Sequence, residues 1–516
     1  MSLEVFMIDI KRIPDYAEVL VEKDEVNDTA LRYEVLEDKV NVYLTAPTSH
    51  PKIVKLRWAA KITGDVRILG DAWERSYADL GFIGLTTEKA HPWYFVMKHA
   101  GGTDCVGVAV RPASLISWVV DCEGVTAFCD VRSGSIGVEL GNRELLIGSF
   151  MSECYPSDTD NSFEAACDFC GKMCPDPILP TEPVYGGNNW YYAYGDSSYD
   201  EIVSDASLQA KLAAGLDNPP FMVIDDGWQP NSCAGPWVAN EKHGDMKKIA
   251  DEFKKMGVRP GIWVRFLRDD TDAIPAEWRF ENRKYLDPSR PEVIAHIKET
   301  VRRIVFDWGY ELIKHDFSSK DIFGLWGKDT NKYLTRGEWK FYDRTRTSAE
   351  IYVDFCKAIL EATEGKAYIL GCNCVSHLTA GLCHINRTGD DTSGTEWNRT
   401  RRMGVNTLAF RLPQNGKFYM ADADCAGFIK GKIPFSLNKE WVTLLAKSGT
   451  PLFISAPDGT FNEEEFAYMK EMYKIASEQK NVAIPLDWGY NATPAKWSID
   501  GEETSFCWFD ETGASF

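Results

Sequence analysis

Apolar and charged residues alternate along the N-terminal part of the chain. Val54, Leu56 and Trp58 are separated by basic residues, a spacing of two that predicts a strand with one buried face. Similar runs predict further strands at 40–44, 93–97, 116–120 and 136–140. Gly141-Asn142 predicts a hairpin turn into another strand at 144–150. Closely spaced short strands with few helical patterns are typical of a β-sandwich.

The pattern changes after residues 162–174, which have helical spacing. The next stretch contains Pro175, Pro177, Pro180 and Pro183, which predicts a stiff linker and a domain boundary. From residue 184 onward, short apolar runs alternate with amphipathic helical patterns. Eight of these runs predict strands, at 187–192, 221–227, 260–266, 311–317, 367–373, 384–390, 418–424 and 450–456.

Eight strand–helix units over about 290 residues indicate a (β/α)8 TIM barrel. The rival is an open doubly wound sheet, but no predicted strand is followed by its glycine-rich turn. The predicted fold class is therefore multidomain: an N-terminal β-sandwich (1–175), a catalytic barrel (184–480) and a short C-terminal β segment (481–516). The last contains one hairpin around Asp500-Gly501, which needs a surface to dock on because a lone hairpin is marginal.

The composition narrows the class of partner. The 516 residues include 57 Lys and Arg against 77 Asp and Glu, a net charge of −20. A field of that sign repels phosphate backbones and anionic lipids, which argues against nucleic-acid and membrane partners, and it also favours solubility. The 17 Trp, 21 Tyr and 26 Phe either fill cores or line a cleft for a small-molecule or oligosaccharide ligand.

The N-terminus and the cysteines bear on compartment and metal content. No basic start with an apolar run indicates a secretory signal, and no apolar run reaches the ~18 residues of a membrane span. With 14 scattered Cys, this predicts reduced thiols and a cytoplasmic location. Cys167, Cys170 and Cys174, with Cys154 nearby, fit either a helix of small buried residues or a zinc site. We expect the helix, and neither a metal nor a cofactor.

Carboxylates stand at the carboxyl ends of four of the eight predicted strands. They are Asp225-Asp226 at the end of the second, Asp316 of the fourth, Asp390-Asp391 of the sixth, and Asp422 and Asp424 of the seventh. Barrel active sites lie at the carboxyl ends of the strands, so these side chains are expected on one rim. Asp also caps helices, which accounts for one or two of these positions but not for two doublets.

The fourth strand carries the most informative pair. Lys314 and Asp316 are two residues apart and share a face, so His315 points the other way, under the helices. A lysine favours the ionised form of a nearby carboxyl, as a nucleophile requires. A second, protonatable carboxyl from the sixth strand would complete the pair that glycoside cleavage needs. The alternative reading of Lys314 and Asp316 is a structural ion pair.

Other chemistries fit the sequence less well. Clustered Asp oxygens also suit magnesium or calcium. A catalytic zinc site is not expected, since none of the 8 His stands in a metal-binding pattern at a strand end, and the G-x-S-x-G motif is absent. Trp190, Trp228 and Trp263 lie near the same strand ends, where their rings would stack on the apolar faces of a sugar or pack in the core.

Five segments of the predicted barrel carry recognisable motifs. They are FMVIDDGWQ (221–229), GVRPGIWV (257–264), YLDPSRPEV (285–293), ELIKHDF (311–317) and SGTPLFIS (448–455). In this order and at these barrel positions they resemble the melibiase-type α-galactosidases of glycoside hydrolase family 36, which is related to families 27 and 31. The resemblance runs from about residue 185 to 456 and is weaker before that. It implies a retaining exo-α-glycosidase that hydrolyses terminal α-linked galactose.

The resemblance also implies roles for individual residues. Asp316, in the family's K-x-D motif, would be the nucleophile. Asp390, in a TGDDT segment (388–392) similar to the family's T-S-D-N-T pattern, would be the acid/base, whereas a register counted from Arg387 points to Asp391. The implied substrate-binding residues are Asp225, Asp226, Trp190, Trp263, Lys314, Arg387, Asp391, Cys372 and Trp73.

The chain departs from the family pattern after the fifth strand. Many family members have a Cys and a Gly-rich run there, which contacts the 2-position of the sugar. Here the segment reads GCNCVSHLTAGLCHINR, with Cys372 and Cys374 but no Gly-rich run. The identity of the α-linked sugar is therefore open. The loop GDAWERSY (70–77), which contains Trp73, either reaches over the barrel mouth, as the family's N-terminal domain does, or lies on the surface.

Several alternatives use the same residues. They are an α-N-acetylgalactosaminidase or another α-glycosidase, a raffinose-synthase-like transglycosylase, and a carbohydrate-binding protein that has lost catalysis. The complete set of carboxylates argues against the last. The sequence leaves open the aglycone, the oligomeric state, with a homo-oligomer among the options, and whether the chain stops inside a longer C-terminal β domain.

Overall fold

The N-terminal part of the chain forms two antiparallel sheets. The structure is a computed structural model that describes residues 8–509. The first eleven strands are β1 (Tyr16–Val21), β2 (Ala30–Val35), β3 (Val40–Ala46), β4 (Pro51–Ala59), β5 (Arg67–Gly70), β6 (Thr86–Pro92), β7 (Tyr94–His99), β8 (Gly102–Val108), β9 (Leu115–Asp121), β10 (Gly124–Asp130) and β11 (Gly141–Pro156). They are ordered β1-β4-β10-β9-β6 in one sheet and β2-β3-β11-β8-β7-β5 in the other.

Aromatic side chains join these two sheets. Trp58 and Trp118 of the first sheet contact Phe150 of the second, with ring centroids 5.7 and 5.9 Å apart. Apolar residues alternate with polar ones along β3 and β4, so each strand has one face to bury. Helix α1 (Ser162–Met173) follows and packs Phe169 and Met173 near Gly107 of β8. We refer to residues 8–173 as the β region.

One strand prediction in the β region is wrong. Residues 136–140 do not form a strand, and β11 begins at Gly141, so the expected hairpin turn is absent from this part of the structure. This part of the chain forms hydrogen bonds with other segments. The Ser135 hydroxyl donates to the Trp339 carbonyl and accepts from Trp339 N, and Val138 N donates to the Pro51 carbonyl at 3.0 Å. Contacts to a distant loop outweigh the local alternating pattern.

The central part of the chain forms one parallel sheet. Its strands are β12 (Tyr185–Asn188), β13 (Phe221–Ile224), β14 (Arg259–Val264), β15 (Leu312–His315), β16 (Tyr368–Gly371), β17 (Ile385–Arg387), β18 (Met420–Asp422), β19 (Cys425–Gly427) and β20 (Leu452–Ser455). Their order is β18-β17-β16-β15-β14-β13-β12-β20-β19. Only Ala423 and Asp424 separate the two edge segments, so the sheet curls round on itself.

Helices alternate with these strands. They are α2 (Trp190–Ala193), α3 (Tyr199–Leu212), α4 (Met246–Lys255), α5 (Pro291–Arg302), α6 (Ser318–Phe323), α7 (Ser348–Ala362), α8 (Ser376–Thr379), α9 (Trp397–Thr400), α10 (Thr407–Arg411), α11 (Phe435–Lys447) and α12 (Glu463–Glu478). Short π-helical turns continue α5 over Arg303–Asp307 and join α9 to α10 over Arg401–Asn406, and brief 3₁₀ turns cover Ala276–Trp278, Gly327–Asp329 and Leu412–Gln414.

Each of the eight apolar runs predicted as strands overlaps a parallel strand, although β12 begins two residues before its run and β14 one residue before. The strands are shorter than predicted because the chain bends soon after each carboxyl end: residues 190–193 form α2, and Phe317 takes a left-handed φ of 64° directly after Asp316. The seventh run contains β18 and ends at Asp424, which has a φ of 72° and is followed by a further short strand, β19, that was not predicted. These bends turn the residues that follow each strand toward one rim of the sheet.

A small antiparallel sheet follows the parallel one. It contains β21 (Ala483–Pro485), β22 (Lys496–Ile499) and β23 (Glu502–Ser505), and Asp500-Gly501 forms the predicted hairpin turn. The sheet docks near α9, where the Trp508 carbonyl accepts a hydrogen bond from Arg401 at 3.0 Å. Among residues 8–509, no helix combines the length and the apolarity that crossing a bilayer requires.

The cysteines considered for zinc lie on and around α1. Cys167 and Cys170 belong to that helix and Cys174 ends it, which agrees with the helical interpretation of the segment. All four thiols, Cys154 included, are free. Within the described part of the chain, no group of three or more His, Cys, Asp or Glu side chains has an arrangement that would hold a metal ion.

Candidate active site

The second and fourth strands supply a buried ion pair at the rim of the parallel sheet. Lys314 Nζ lies 2.6 Å from Asp225 Oδ2, which also accepts a hydrogen bond from Asn188 Nδ2 at 2.7 Å. Both partners are buried. Burial acts to lower the pKa of Lys314, but Asp225, with smaller contributions from Cys372 and Asp316, raises it well above its ordinary value. Lys314 is therefore held protonated in contact with Asp225.

Asp316 stands beside this pair and is less buried. Its Oδ2 accepts a hydrogen bond from Trp263 Nε1 at 3.0 Å, and its Oδ1 accepts one from the Phe317 backbone at 2.7 Å. The strand alternation is as predicted, because His315 points the other way and lies between Phe266 and Phe355. Burial there lowers the pKa of His315 to about 4. Two donors thus fix the orientation of the Asp316 carboxylate.

Arg387, at the end of β17, joins several side chains of the rim. Its Nη2 lies 2.9 Å from Asp424 Oδ2 and 3.3 Å from Asp391 Oδ1, and its Nη1 lies 3.6 Å from Cys372 Sγ. Asp424 also accepts hydrogen bonds from the Tyr191 hydroxyl and from Thr392 N. Arg387 is 1% exposed, so this network holds it rigidly at the rim.

The Asp390-Asp391 doublet is held mainly by arginines. Asp390 Oδ1 lies 2.7 Å from Arg75 Nη2, and its Oδ2 lies 2.8 Å from Arg399 Nη2. Asp391 Oδ1 is 3.1 Å from Arg75 Nη1 and is shared with Arg387. Burial opposes ionisation of Asp391, but Arg75, Arg387 and more distant cations outweigh it and lower its pKa to about 2. Arginine contacts thus dominate this end of the site.

The two carboxylates of the doublet differ in access. The Asp390 side chain is 15% exposed and both its oxygens are in ion pairs. The Asp391 side chain is 37% exposed, and residues 8–509 offer no hydrogen bond or ion pair to its Oδ2. Lys314 lowers the pKa of Asp391, and Asp316 raises the pKa of Lys314. Asp391 therefore belongs to the same electrostatic cluster as Asp316.

A loop of the β region completes the rim. Ser76 N donates to the Thr388 carbonyl at 2.9 Å, and Asp390 N donates to the Ser76 carbonyl at 2.8 Å, so the loop pairs with the chain beside Asp390. Glu74 is fully buried and accepts hydrogen bonds from Ser319, Asn373 and Gly327. The loop thus reaches the rim of the parallel sheet, where one of the two interpretations of the sequence placed it.

Trp73 lies outside the cluster of acidic side chains. It is 2% exposed, packs edge-on against Trp93 with ring centroids 5.0 Å apart, and donates its Nε1 hydrogen to the Asn331 carbonyl at 3.0 Å. The residue of this loop that reaches the cluster is Arg75, two positions later. Charge complementarity with Asp390 and Asp391 favours the arginine at this place, whereas the Trp73 ring is buried against Trp93.

The remaining predicted residues lie at varied positions. Asp226 turns toward the loop after β13, where Ser232 and Cys233 bond to it. Trp190 is half-buried just after β12, and its ring centroid lies 5.5 Å from that of Tyr194. Trp228 is fully buried and donates Nε1 to the Trp263 carbonyl at 2.9 Å, so it supports Trp263 from behind and does not line the rim.

Sequence reasoning did not select three residues of this cluster. They are Arg75, Arg399 and Asn188. Arg75 stands in the GDAWERSY loop and Arg399 in a segment with no predicted element, and nothing local indicates that either faces acidic side chains. Asn188 directly precedes the aromatic run of the first strand, and a polar residue at the carboxyl end of a barrel strand was the available signal for it.

Several solved structures share this fold. The α-galactosidase from Thermus thermophilus in complex with p-nitrophenyl α-D-galactopyranoside superposes with a TM-score of 0.63 at 16% identity, covering 95% of this chain and 99% of that one. A family 36 α-galactosidase from Geobacillus stearothermophilus has a TM-score of 0.60 at 13% identity and covers 94% and 77%. The galactosidase domain of an α-galactosidase-sucrose kinase has a TM-score of 0.57 at 17% identity and covers 93% and 71%.

All three structural neighbours are α-galactosidases or α-galactosidase domains. No family model matches the chain, and a search of curated proteins finds no match either. At identities this low, the likeness establishes a common fold over nearly the whole chain.

Proposed function

We propose that the protein is a retaining exo-α-glycosidase, most consistent with an α-galactosidase, that acts by double displacement. The observation that carries this proposal is the orientation of Asp316 at the rim by Trp263 and Phe317, beside the Lys314–Asp225 pair, whose lysine also acts on Asp391 of the doublet. The shared fold with α-galactosidases adds support. We read the β region as the β-sandwich domain (1–175), the curled sheet as a closed (β/α)8 barrel (184–480) and the remainder as a C-terminal β segment (481–516).

In the first step, a carboxylate attacks the anomeric carbon and the glycosidic oxygen leaves. We assign the attack to Asp316, because its two hydrogen bonds aim the carboxylate while leaving it partly exposed. The bond between the anomeric carbon and the leaving oxygen breaks, and that oxygen takes a proton from the acid. Water then attacks the glycosyl ester, gives its proton back to the same residue, and releases the sugar with its configuration retained.

The acid/base is one member of the doublet. Asp390 was favoured by its place in the TGDDT motif, but ion pairs engage both of its oxygens. We therefore propose Asp391, whose Oδ2 faces no partner among the described residues and whose side chain is more exposed. Asp391 also lies four residues after Arg387, the alternative register in the sequence. A proton-transferring group must reach the substrate oxygen directly, which an unengaged carboxyl oxygen allows.

The rest of the rim would bind the sugar. Lys314 and Asp225 form a charged pair that can donate to and accept from hydroxyl groups, and Trp190 offers a half-buried ring. The departure from the family pattern after the fifth strand has a structural counterpart: Asn373 is bound to Glu74 of the β region, and Cys372 lies against Arg387. We expect Cys372 to border the sugar and Asn373 to act through the loop.

A panel of 4-nitrophenyl α-glycosides tests this function. The galactoside should be hydrolysed fastest among galactoside, N-acetylgalactosaminide, glucoside and xyloside, and proton NMR of the first product should show the α anomer. A β anomer would refute double displacement. Faster cleavage of the N-acetylgalactosaminide would move the specificity to that sugar, and inertness of all four together with binding of free galactose would support a non-catalytic lectin.

A further inference from the structure

Arg75 belongs to the β region, yet its guanidinium lies among the side chains at the sixth strand of the barrel. Its Nη2 contacts Asp390 at 2.7 Å and its Nη1 contacts Asp391 at 3.1 Å. Its side chain is 8% exposed, and its Nε is buried without any hydrogen-bond partner within residues 8–509. Both terminal nitrogens of Arg75 therefore bind the carboxylates of the doublet.

The backbone around Arg75 is fixed on both sides. Arg411, itself fully buried, donates from Nη1 to the Glu74 carbonyl at 2.7 Å and to the Thr388 carbonyl at 3.2 Å. Ser76 pairs with the backbone of Thr388 and Asp390. The residues before and after Arg75 are therefore attached to the same stretch of chain that carries the doublet. The Arg75 side chain thus has a defined position relative to Asp390 and Asp391.

Two aromatic rings flank the guanidinium. The Trp326 ring lies 5.4 Å from its carbon and the Tyr77 ring 5.7 Å, distances at which a cation is attracted to a ring face. Trp326 belongs to the segment after the fourth strand, whereas Tyr77 belongs to the loop. The arginine is therefore held from the barrel and from the β region at the same time.

We propose that Arg75 is a positioning residue of the acid/base step, inserted by the β region to fix the carboxyl groups of Asp390 and Asp391 at the barrel rim. This inference rests on the proposed function, because the acid/base step exists only if the protein is a glycosidase. It extends that function by making a loop far away in the sequence part of the catalytic apparatus. The β region is then required for the chemistry itself.

The charged and titratable groups around the doublet come from five segments. They are Arg75 and Tyr77 from the β region, Arg387 and Arg399 near the sixth strand, Lys314 from the fourth, Asp424 from the seventh, and Tyr191 and Tyr194 after the first. Of the cations that lower the pKa of Asp391, Arg75 has the largest effect. A charged Asp391 is ready to act as a base, but it must gain a proton before it can act as an acid.

This arrangement predicts a shift in the pH profile. In R75M the pKa of Asp391 should rise because its nearest cation is lost, so the basic limb of kcat/KM should move upward by about 1 pH unit. The kcat for an α-galactoside with an unactivated leaving group should fall about 10- to 100-fold, because the acid is no longer held in place. R75K keeps the positive charge, so the basic limb of its kcat/KM profile should return to the wild-type position and its kcat should recover in part.

The matched control is R111M. Arg111 also reaches from the β region to the barrel segments, where it bonds to the Ala380 carbonyl at 2.6 Å, and it bonds to Asp176 of the linker at 2.9 Å. None of its hydrogen bonds or ion pairs within residues 8–509 involves the doublet. R111M should leave the limb and the rate unchanged. A shift in R111M equal to that in R75M, or a wild-type profile in R75M, would overturn the proposal. If R75M does not fold, R75Q carries the same test.

A crystal structure separates this proposal from the proposed function. If the wild-type protein hydrolyses none of the α-glycosides, the proposed function fails, and the positions of the side chains still decide the role of Arg75. In R75M the carboxyl groups of Asp390 and Asp391 should be displaced while Asp225 and Asp316 keep their places. Unmoved carboxyl groups in R75M would overturn the positioning role whatever the activity.

Discussion

Asp316 after β15 and Asp391 after β17 are both acidic residues at the rim of one sheet, yet their surroundings differ. Two neutral donors hold Asp316. They are the indole of Trp263, on the adjacent strand β14, and the backbone of Phe317, the next residue. Cations hold Asp391, and one of them, Arg75, lies 316 residues away in the sequence. Neutral donors aim a carboxylate without cancelling its charge, whereas arginines oppose protonation. The first environment suits a nucleophile, and the second restrains a group that must exchange protons.

Removing the nucleophile should produce the largest effect and would show whether the Asp316 end is the reactive one. We expect Asp316→Ala to lower kcat on 4-nitrophenyl α-galactoside by about 10⁴-fold or more, because no other oriented carboxylate can form the glycosyl ester. Added azide should enter the vacated space, restore part of the turnover and yield the β-galactosyl azide. A loss of less than 10-fold would assign the reaction to another residue.

The doublet offers the next largest effect and distinguishes its two members. Asp391→Ala should lower kcat/KM for an oligosaccharide by about 10²- to 10⁴-fold, and much less for a 4-nitrophenyl galactoside, whose leaving group needs no proton. Asp390→Asn should lower kcat/KM for both substrates by the same, smaller factor. If Asp391 is the acid/base, Asp390 acts only through its contacts with Arg75 and Arg399. The reverse pattern would make Asp390 the acid/base, as its motif suggests.

A smaller effect is expected from one neutral donor of the Asp316 end. Trp263→Phe keeps the ring but removes the hydrogen bond of 3.0 Å to Asp316, so kcat should fall about 10-fold. Trp228→Phe is the matched control, because Trp228 donates to the Trp263 carbonyl and not to Asp316. It should lower the melting temperature without lowering kcat. Equal losses of kcat in the two variants would mean that the donor itself is unimportant.

The convergence of the Asp316 end could be predicted because its residues come from three successive strands. Strand alternation places Lys314 and Asp316 on one face and His315 on the other, and the curl of the sheet brings Asp225, two strands away, into contact with Lys314. The eight strands could also be predicted, because apolar runs and helical spacing are local features of the sequence. Strand ends were placed too late, because the bends that follow each strand depend on contacts at the rim.

The Asp391 end could not be predicted in the same way. Arg75 approaches it through a loop whose position depends on Glu74 and Ser76 bonding to distant backbone, and no periodicity encodes such contacts. Trp73 was selected from that loop for its aromatic ring, but the same loop buries it against Trp93. The missing strand at 136–140 has the same cause, because Ser135 bonds to Trp339 instead of to a neighbouring strand.

The smallest expected effect concerns Asp422, which shares the arginine-rich end with Asp391 but has the opposite shift. Burial raises the pKa of Asp422 to about 6, although Arg387 opposes the rise. Its Oδ1 accepts a hydrogen bond from Asp424 N at 2.9 Å. The folded pKa exceeds the unfolded value of about 3.9. The protonated carboxyl therefore contributes stability that is fully present below about pH 4 and is lost as the pH rises through about 6.

Asp422→Asn tests this difference, because an amide stays neutral at every pH. The melting temperature of the variant relative to the wild-type protein should increase as the pH rises from about 4 to about 6 and should stay constant above that range. Scanning calorimetry at a series of pH values in this range would measure it. A relative melting temperature that does not change with pH would mean that Arg387 fully compensates the burial of Asp422. Both carboxyl groups of this end would then be charged under the same conditions, and burial would not separate Asp422 from Asp391.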